Sequence, residues 1–134
     1  MKKILLDTNF LMAPYQFKVD IFSEIERILL WKYEIEVLDR TIEELEKIIE
    51  IQKGKNKEAA KIALKLVKIN KIKIVKTSSE KSTDDVIVDY AVKEGCIVAT
   101  QDKDLKRELI NHGIGIIILK SKKKLMLVND KGFN

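Results

Sequence analysis

With 134 residues, the chain has the size of one domain and is too short for two ordinary ones. An apolar fraction of 46% supplies a substantial core, and no apolar run approaches the roughly 18 residues that cross a bilayer, which argues against a membrane role. The 26 basic and 21 acidic residues leave a net charge of +5, a surplus that fits a polyanionic partner and equally fits a solvated Lys/Glu surface.

Cys96 is the lone cysteine, which rules out an intramolecular disulfide and a cysteine-based zinc site within one chain. Met1-Lys2-Lys3 is followed by only three apolar residues before Asp7, which is not the pattern of a secretion signal, so a cytoplasmic location is expected. Abundant Lys, Glu and Ile beside a single proline, Pro14, match the habits of thermophile proteins, although nucleotide bias produces the same skew.

Residues 3–6 read as a strand and 8–13 as a short helix that ends near Pro14, because the residue before a proline is pushed out of the helical region. Helical spacing of Ile21, Phe22, Ile25, Ile28 and Leu29 predicts a helix from Asp20 to about Tyr33. The alternating residues 34–38 predict a strand, and Ile42, Leu45, Ile48 and Ile49 a helix that weakens near Gly54. A lysine-rich loop at 53–57 precedes a long helix marked by Ala59, Ala60, Ala63, Leu66 and Val67. Residues 72–75 read as a strand. Ser82 or Thr83 caps a helix that runs to about Glu94, with Gly95 at its C-cap. A buried strand at 96–99, a helix from Asp102 to Asn111, a strand at 115–119 and a small edge strand at 125–128 complete the chain. Such alternation predicts one domain over 1–134, an α/β protein built as a three-layer α/β/α sandwich on a mainly parallel sheet.

The acids fall at one edge of that sheet. Asp7 ends an apolar strand abruptly, and open α/β sheets keep their chemistry outside the carboxyl ends of the strands. Glu44 lies in the first turns of the helix after the second strand; Asp84 and Asp85 open the helix before the fourth; Asp102 and Asp104 follow the fourth. Four segments thereby converge as carboxylates that cannot all ionise at neutral pH without a cation. Hard oxygen donors without a His/Cys set point to Mg²⁺ or Mn²⁺, ions that activate water and stabilise displacement at phosphorus. Helix capping asks for acids at several of the same places. Asp7, at a strand end, has no such alternative.

Leu5-Leu6-Asp7-Thr8-Asn9-Phe10-Leu11, then Ile42-Glu43-Glu44-Leu45, then Asp84-Asp85-Val86-Ile87, then Val98-Ala99-Thr100-Gln101-Asp102-Lys103-Asp104-Leu105 together resemble a PIN-domain nuclease over nearly the whole chain. The Asp-Asp pair and the Thr-x-Asp-x-Asp-Leu ending look closer to archaeal and ribosome-biogenesis PIN proteins than to typical VapC toxins. The resemblance implies that Asp7, Glu44, Asp85 and Asp102 are the catalytic metal-binding acids. It also implies Asp104 as an auxiliary ligand, Asp84 as an alternative to Asp85, and Thr8, Asn9 and Thr100 as groups that orient carboxylates and water. The implied reaction is cleavage of single-stranded RNA by metal-activated water. The chain departs from the pattern at Asp39-Arg40, where a proline often stands.

Lys53, Lys55, Lys57, Lys122 and Lys123 are candidate phosphate contacts and, as bare charge runs, also ordinary solvated surface. His112 is expected to finish a helix, Cys96 to sit in the core, and Asp89 to lie at the rim or surface. Expected partners are RNA, a second copy as homodimer, and an antitoxin or a ribosome-assembly protein. The rivals to a nuclease are a non-cleaving RNA-binding module of the same fold and a phosphoacceptor signalling domain. The latter needs an acid after the middle strand, where this chain has Val75-Lys76-Thr77.

Overall fold

A computed structural model describes residues 1–128. The elements in chain order are β1 (Lys2–Leu6), α1 (Thr8–Phe17), α2 (Ile21–Ile28), β2 (Tyr33–Leu38), α3 (Asp39–Ile51), α4 (Lys55–Ile69), β3 (Lys73–Val75), α5 (Thr83–Glu94), β4 (Ile97–Ala99), α6 (Lys103–Asn111), β5 (Ile116–Ser121) and β6 (Lys124–Val128). The strands form one six-stranded sheet in the order β3-β2-β1-β4-β5-β6. All pairs are parallel except β5 with β6. The single-domain expectation also included residues 129–134, which lie outside the described residues.

Both sheet faces are covered, so the central strands read as continuous apolar runs rather than alternating ones. In β1, Ile4 and Leu6 pack with Phe10, Leu11, Ile21, Ile25, Leu45 and Ala63, the core beneath α1–α4. Leu5, pointing the opposite way, packs with Val86, Ile87, Ala91, Leu105 and Leu109 of α5 and α6. Burial of one such side chain contributes about 1.5–3 kcal/mol. The result is the expected three-layer α/β/α sandwich.

Three expectations are corrected. α1 continues through Pro14 to Phe17, with Lys18 closing it in the left-handed region at φ 55°. Burial of Phe10, Leu11, Met12 and Ala13 holds the helix together although Pro14 cannot donate its backbone hydrogen bond. α2 stops at Ile28, because Leu29 turns extended while its N–H still reaches Ile25 O. The lysine-rich stretch is mostly helix: Gly54 takes φ 71° as the N-cap and α4 starts at Lys55.

The sheet order fixes where chemistry belongs. From β1 the chain moves outward to β2 and β3, whereas β4 lies on the other side of β1 and leads to β5. β1 and β4 therefore flank the topological switch point, whose crevice opens outside their carboxyl ends. Register places Leu6 beside Ala99, and Asp7 N–H donates to Ala99 O at 3.0 Å. Asp7 and the Thr100–Asp102 segment are thus brought together by strand pairing alone.

Candidate active site

A cavity of about 410 Å³ lies at this crevice, lined by Asp7, Thr8 and Asn9, by Glu44, Lys47, Ile48, Ile51 and Gln52, and by Thr83, Asp84 and Asp102. Four carboxylates from four segments therefore share one space.

Asp7 is the most constrained of them. It is buried, 8% exposed, and doubles as the N-cap of α1. Its Oδ1 accepts from Thr8 N at 2.7 Å, and its Oδ2 accepts from Thr100 Oγ1 at 2.8 Å. Burial nevertheless pushes its carboxyl above the usual range; the bonds from Thr100 and Thr8 pull it down, and the Asp84 and Glu44 charges add to the rise. Thr100 is fully buried and takes a second role, accepting from Asp102 N at 3.1 Å. Asp102 caps α6 by accepting from Leu105 N at 2.9 Å. Thr8 Oγ1 donates to Glu44 Oε1 at 2.7 Å and so ties α1 to α3. Thr8 and Thr100 thus hold two of the carboxylates, Asp7 and Glu44, and Thr100 also fixes the backbone at Asp102, the service expected of groups behind a metal site. Asn9 lines the cavity as a neutral amide.

The Asp84/Asp85 pair separates. Asp84 lines the cavity and Asp85 does not, because successive residues on a helix point about 100° apart. Burial raises the Asp84 carboxyl, reinforced by the charges of Asp102, Glu108, Glu44 and Asp85. Asp104 is also absent from the cavity: its side chain is 90% exposed and lies 3.8 Å from Arg107. Asp89 is paired at 2.8 Å with Lys81, away from the cavity lining. His112 closes α6, its Nδ1 2.9 Å from Glu108 O, and burial pushes the Cys96 thiol up to about 12, so neither offers chemistry here.

The carboxylates are gathered but not closed on one another: among the described residues, no three His, Cys, Asp or Glu side chains stand close enough to hold an ion. Asp7, Glu44 and Asp102 are each turned into a hydrogen bond with the protein, which keeps like charges apart. The donor set itself, carboxylate oxygen throughout, suits a hard divalent cation.

Asp39-Arg40, the departure from the expected proline, forms a staple. Asp39 accepts from Thr77 N at 3.0 Å and from Thr77 Oγ1 at 2.7 Å, and Arg40 donates to the carbonyls of Ser79 and Lys81. Burial alone would raise the Asp39 carboxyl, but the bonds from Thr77 and Arg40 outweigh it and hold it low. The stapled segment leads directly into Thr83 and Asp84. Arg40→Ala is expected to cost about 1 kcal/mol of stability and to weaken Mn²⁺ binding several-fold. Thermal denaturation and a Mn²⁺ titration check both; unchanged metal affinity would show that the staple does not set Asp84.

Lys47, Ile48, Ile51, Gln52 and Thr83 were not foreseen as site residues. The signal was available for α3, since Lys47, Ile48, Ile51 and Gln52 follow Glu44 at three, four, seven and eight residues, one face of a helix. Of the candidate lysines, Lys53, Lys122 and Lys123 are exposed, and Lys55 and Lys57 sit in the first turn of α4; none lines the carboxylate cavity. Glu36 was a second surprise: it is fully buried on β2, accepts from Tyr90 Oη at 2.6 Å and lies 3.7 Å from Lys73 Nζ. Tyr90 of α5 covers that side of β2.

A three-layer α/β/α fold with carboxylates assembled at its switch point defines a recognisable class of acid-centred α/β proteins. The chain belongs to the PIN-like domain family, whose profile matches residues 4–122. It is 39% identical over 124 residues to Ribonuclease VapC4 of Methanocaldococcus jannaschii, covering 92% of this chain and 94% of that one. It is 36% identical over 110 residues to the rRNA-processing protein FCF1 of Saccharomyces cerevisiae, covering 80% of this chain and 53% of that longer protein. Among solved structures, the PIN domain endonuclease Utp24 superposes with a TM-score of 0.76 at 27% identity, covering 95% of this chain and 91% of the other. No helix among the described residues is long and apolar enough to cross a membrane.

Proposed function

We propose that the protein is a divalent-metal-dependent endoribonuclease, hydrolysing RNA phosphodiesters with Mg²⁺ or Mn²⁺ held by Asp7, Glu44, Asp84 and Asp102. The carrying observation is the shared cavity of these four carboxylates at the switch point, in a chain of the PIN-like family. The similarity to Ribonuclease VapC4, over nearly the full length of both chains, supports RNA as the substrate. Asp85 and Asp104 are left outside the metal site in this reading, since neither lines the cavity.

The bound cation supplies charge neutralisation and a water acidified toward hydroxide. The protein's residues do the rest. Asp7, fixed by Thr8 and Thr100, is the invariant anchor about which the other three carboxylates adjust. Glu44 and Asp102, now bonded to Thr8 and to Leu105 N–H, and Asp84 on the cavity wall would supply the remaining oxygen donors. Asn9 and Lys47, both on the cavity wall, are the neutral and positive groups available to a phosphate oxygen.

Two biological uses share this chemistry. Similarity to VapC4 favours the toxin of an antitoxin-paired system, and similarity to FCF1 favours ribosomal RNA processing. Growth arrest on expression, relieved by a co-purifying small protein, identifies the first. For the chemistry itself, labelled single-stranded RNA is incubated with purified protein and Mn²⁺. Cleavage that EDTA abolishes is expected; cleavage undiminished in EDTA, or none with any divalent ion, contradicts the proposal.

A further inference from the structure

The carboxylate cavity does not end at its acids. Along α3, the stripe from Glu44 continues through Lys47 and Ile48 to Ile51 and Gln52, all on the cavity wall. Ile51 is 64% exposed, a large aliphatic side chain at the mouth of a charged space. α1 packs against α3 and leaves the same sheet edge, with Thr8 in the cavity and Tyr15, seven residues on, along the same face. Beyond Gln52 the surface continues. Asn56 Nδ2 donates to Gln52 Oε1 at 2.8 Å, and Asn56 lines a second cavity of about 380 Å³ with Tyr15, Gln16, Lys18 and Lys55. Lys18 Nζ stands 4.3 Å from the Tyr15 ring centroid.

The order along this strip is acids, aliphatic wall, amide pair, then two lysines around a tyrosine. Each part suits a different piece of a nucleotide chain. The acids repel phosphate except through a cation, so the flanking phosphates need positive charge elsewhere, and Lys18 and Lys55 supply it at the far end. Ile48 and Ile51 offer a phosphate nothing and a base an apolar bed. Gln52 has its Oε1 taken by Asn56, which leaves its Nε2 donors for an acceptor on that base. From Glu44 to Ile51, the last residue of α3, the helix rises about 10 Å, room for about three stacked nucleotides.

We infer that the strip from Glu44 to Lys18 and Lys55 is the track for one flank of a single-stranded RNA, with a base seated on Ile48 and Ile51. The inference rests on the ribonuclease reading above and adds where the substrate lies.

The test is binding of a short fluorescein-labelled single-stranded RNA by anisotropy across a salt series, in Ca²⁺, with the RNA's integrity checked afterwards. Lys18→Gln and Lys55→Gln should each weaken binding several-fold and lower the log–log salt slope by about 0.7, the share of one phosphate on a single strand. Ile51→Ser should weaken binding several-fold and leave the slope unchanged. Lys68→Gln is the charge control, since Lys68 lies in the last turn of the same helix that Lys55 begins, about 20 Å away. It should bind as wild type, and the three lysine variants should keep their melting temperature and Mn²⁺ affinity. Wild-type binding by the Lys18, Lys55 and Ile51 variants overturns the track, as does an equal loss in Lys68→Gln or equal affinity for duplex RNA. If RNA binds along the strip and is never cut, the ribonuclease reading fails and the track stands. If RNA is cut and these variants bind normally, the track alone fails.

Discussion

Asp7→Asn is expected to reduce metal-dependent RNA cleavage by more than about 100-fold, since the loss of a partner behind a metal ligand already costs 10–100-fold. The same variant should be no less stable than wild type. Asparagine keeps an acceptor for Thr8 N–H and a polar group beside Thr100 Oγ1, so the burial contacts survive. It also removes a carboxylate whose charged form is disfavoured by burial and by Asp84 and Glu44. The sign follows from linkage. A raised folded-state pKa means that the folded protein holds its proton more tightly than the unfolded chain. Asp7 therefore contributes stability below its ordinary pKa, and that contribution is lost as pH rises through the raised one. In EDTA, the melting-temperature difference between Asp7→Asn and wild type should grow in the variant's favour as pH climbs from the acid side toward neutrality. Retained cleavage would remove Asp7 from the site, and a flat difference across pH would show that burial does not raise its carboxyl.

The second large effect separates neighbours. Asp84→Asn should cost more than about 100-fold in cleavage and weaken Mn²⁺ binding, because Asp84 lines the cavity and feels Asp102 and Glu44. Asp85→Asn should leave cleavage within a few-fold of wild type. Its effect should fall on stability, about 0.3–1 kcal/mol, through the loss of a negative charge in the first turn of α5. Initial rates with one RNA substrate, alongside thermal denaturation, decide between them. Reversal of the two phenotypes would mean that α5 presents its other face to the substrate.

The fold was legible because the apolar runs of β1 and β4 are long enough to demand burial on both faces, and the helices between them carry clear stripes. Element ends were less so. Pro14 is a local stop signal that the packing of Phe10 to Ala13 overrides, and no local feature of Leu29 announces the end of α2. Within the site, Asp7 was readable because an apolar strand stops on it, although the expectation that it has no capping role is corrected: it is the N-cap of α1, as Asp102 is of α6. Which of Asp84 and Asp85 faces inward depends on how α5 is rotated against the sheet, a tertiary fact that two adjacent letters do not encode. Asp104 illustrates the same limit, since it shares a motif with Asp102 yet points to solvent beside Arg107. The Asp39-Arg40 staple was visible only as a missing proline, because its partners Thr77, Ser79 and Lys81 lie about forty residues away.

The central claim is that carboxylates from four separate segments close on one divalent site. A crystal soaked in Mn²⁺ and recorded at a wavelength where manganese scatters anomalously tests it directly. The account predicts an anomalous peak within coordination distance, about 2.0–2.3 Å, of oxygens from Asp7 and at least two of Glu44, Asp84 and Asp102. A peak held by Asp85 and Asp104 instead, or none in crystals of protein that still cuts RNA, would contradict it.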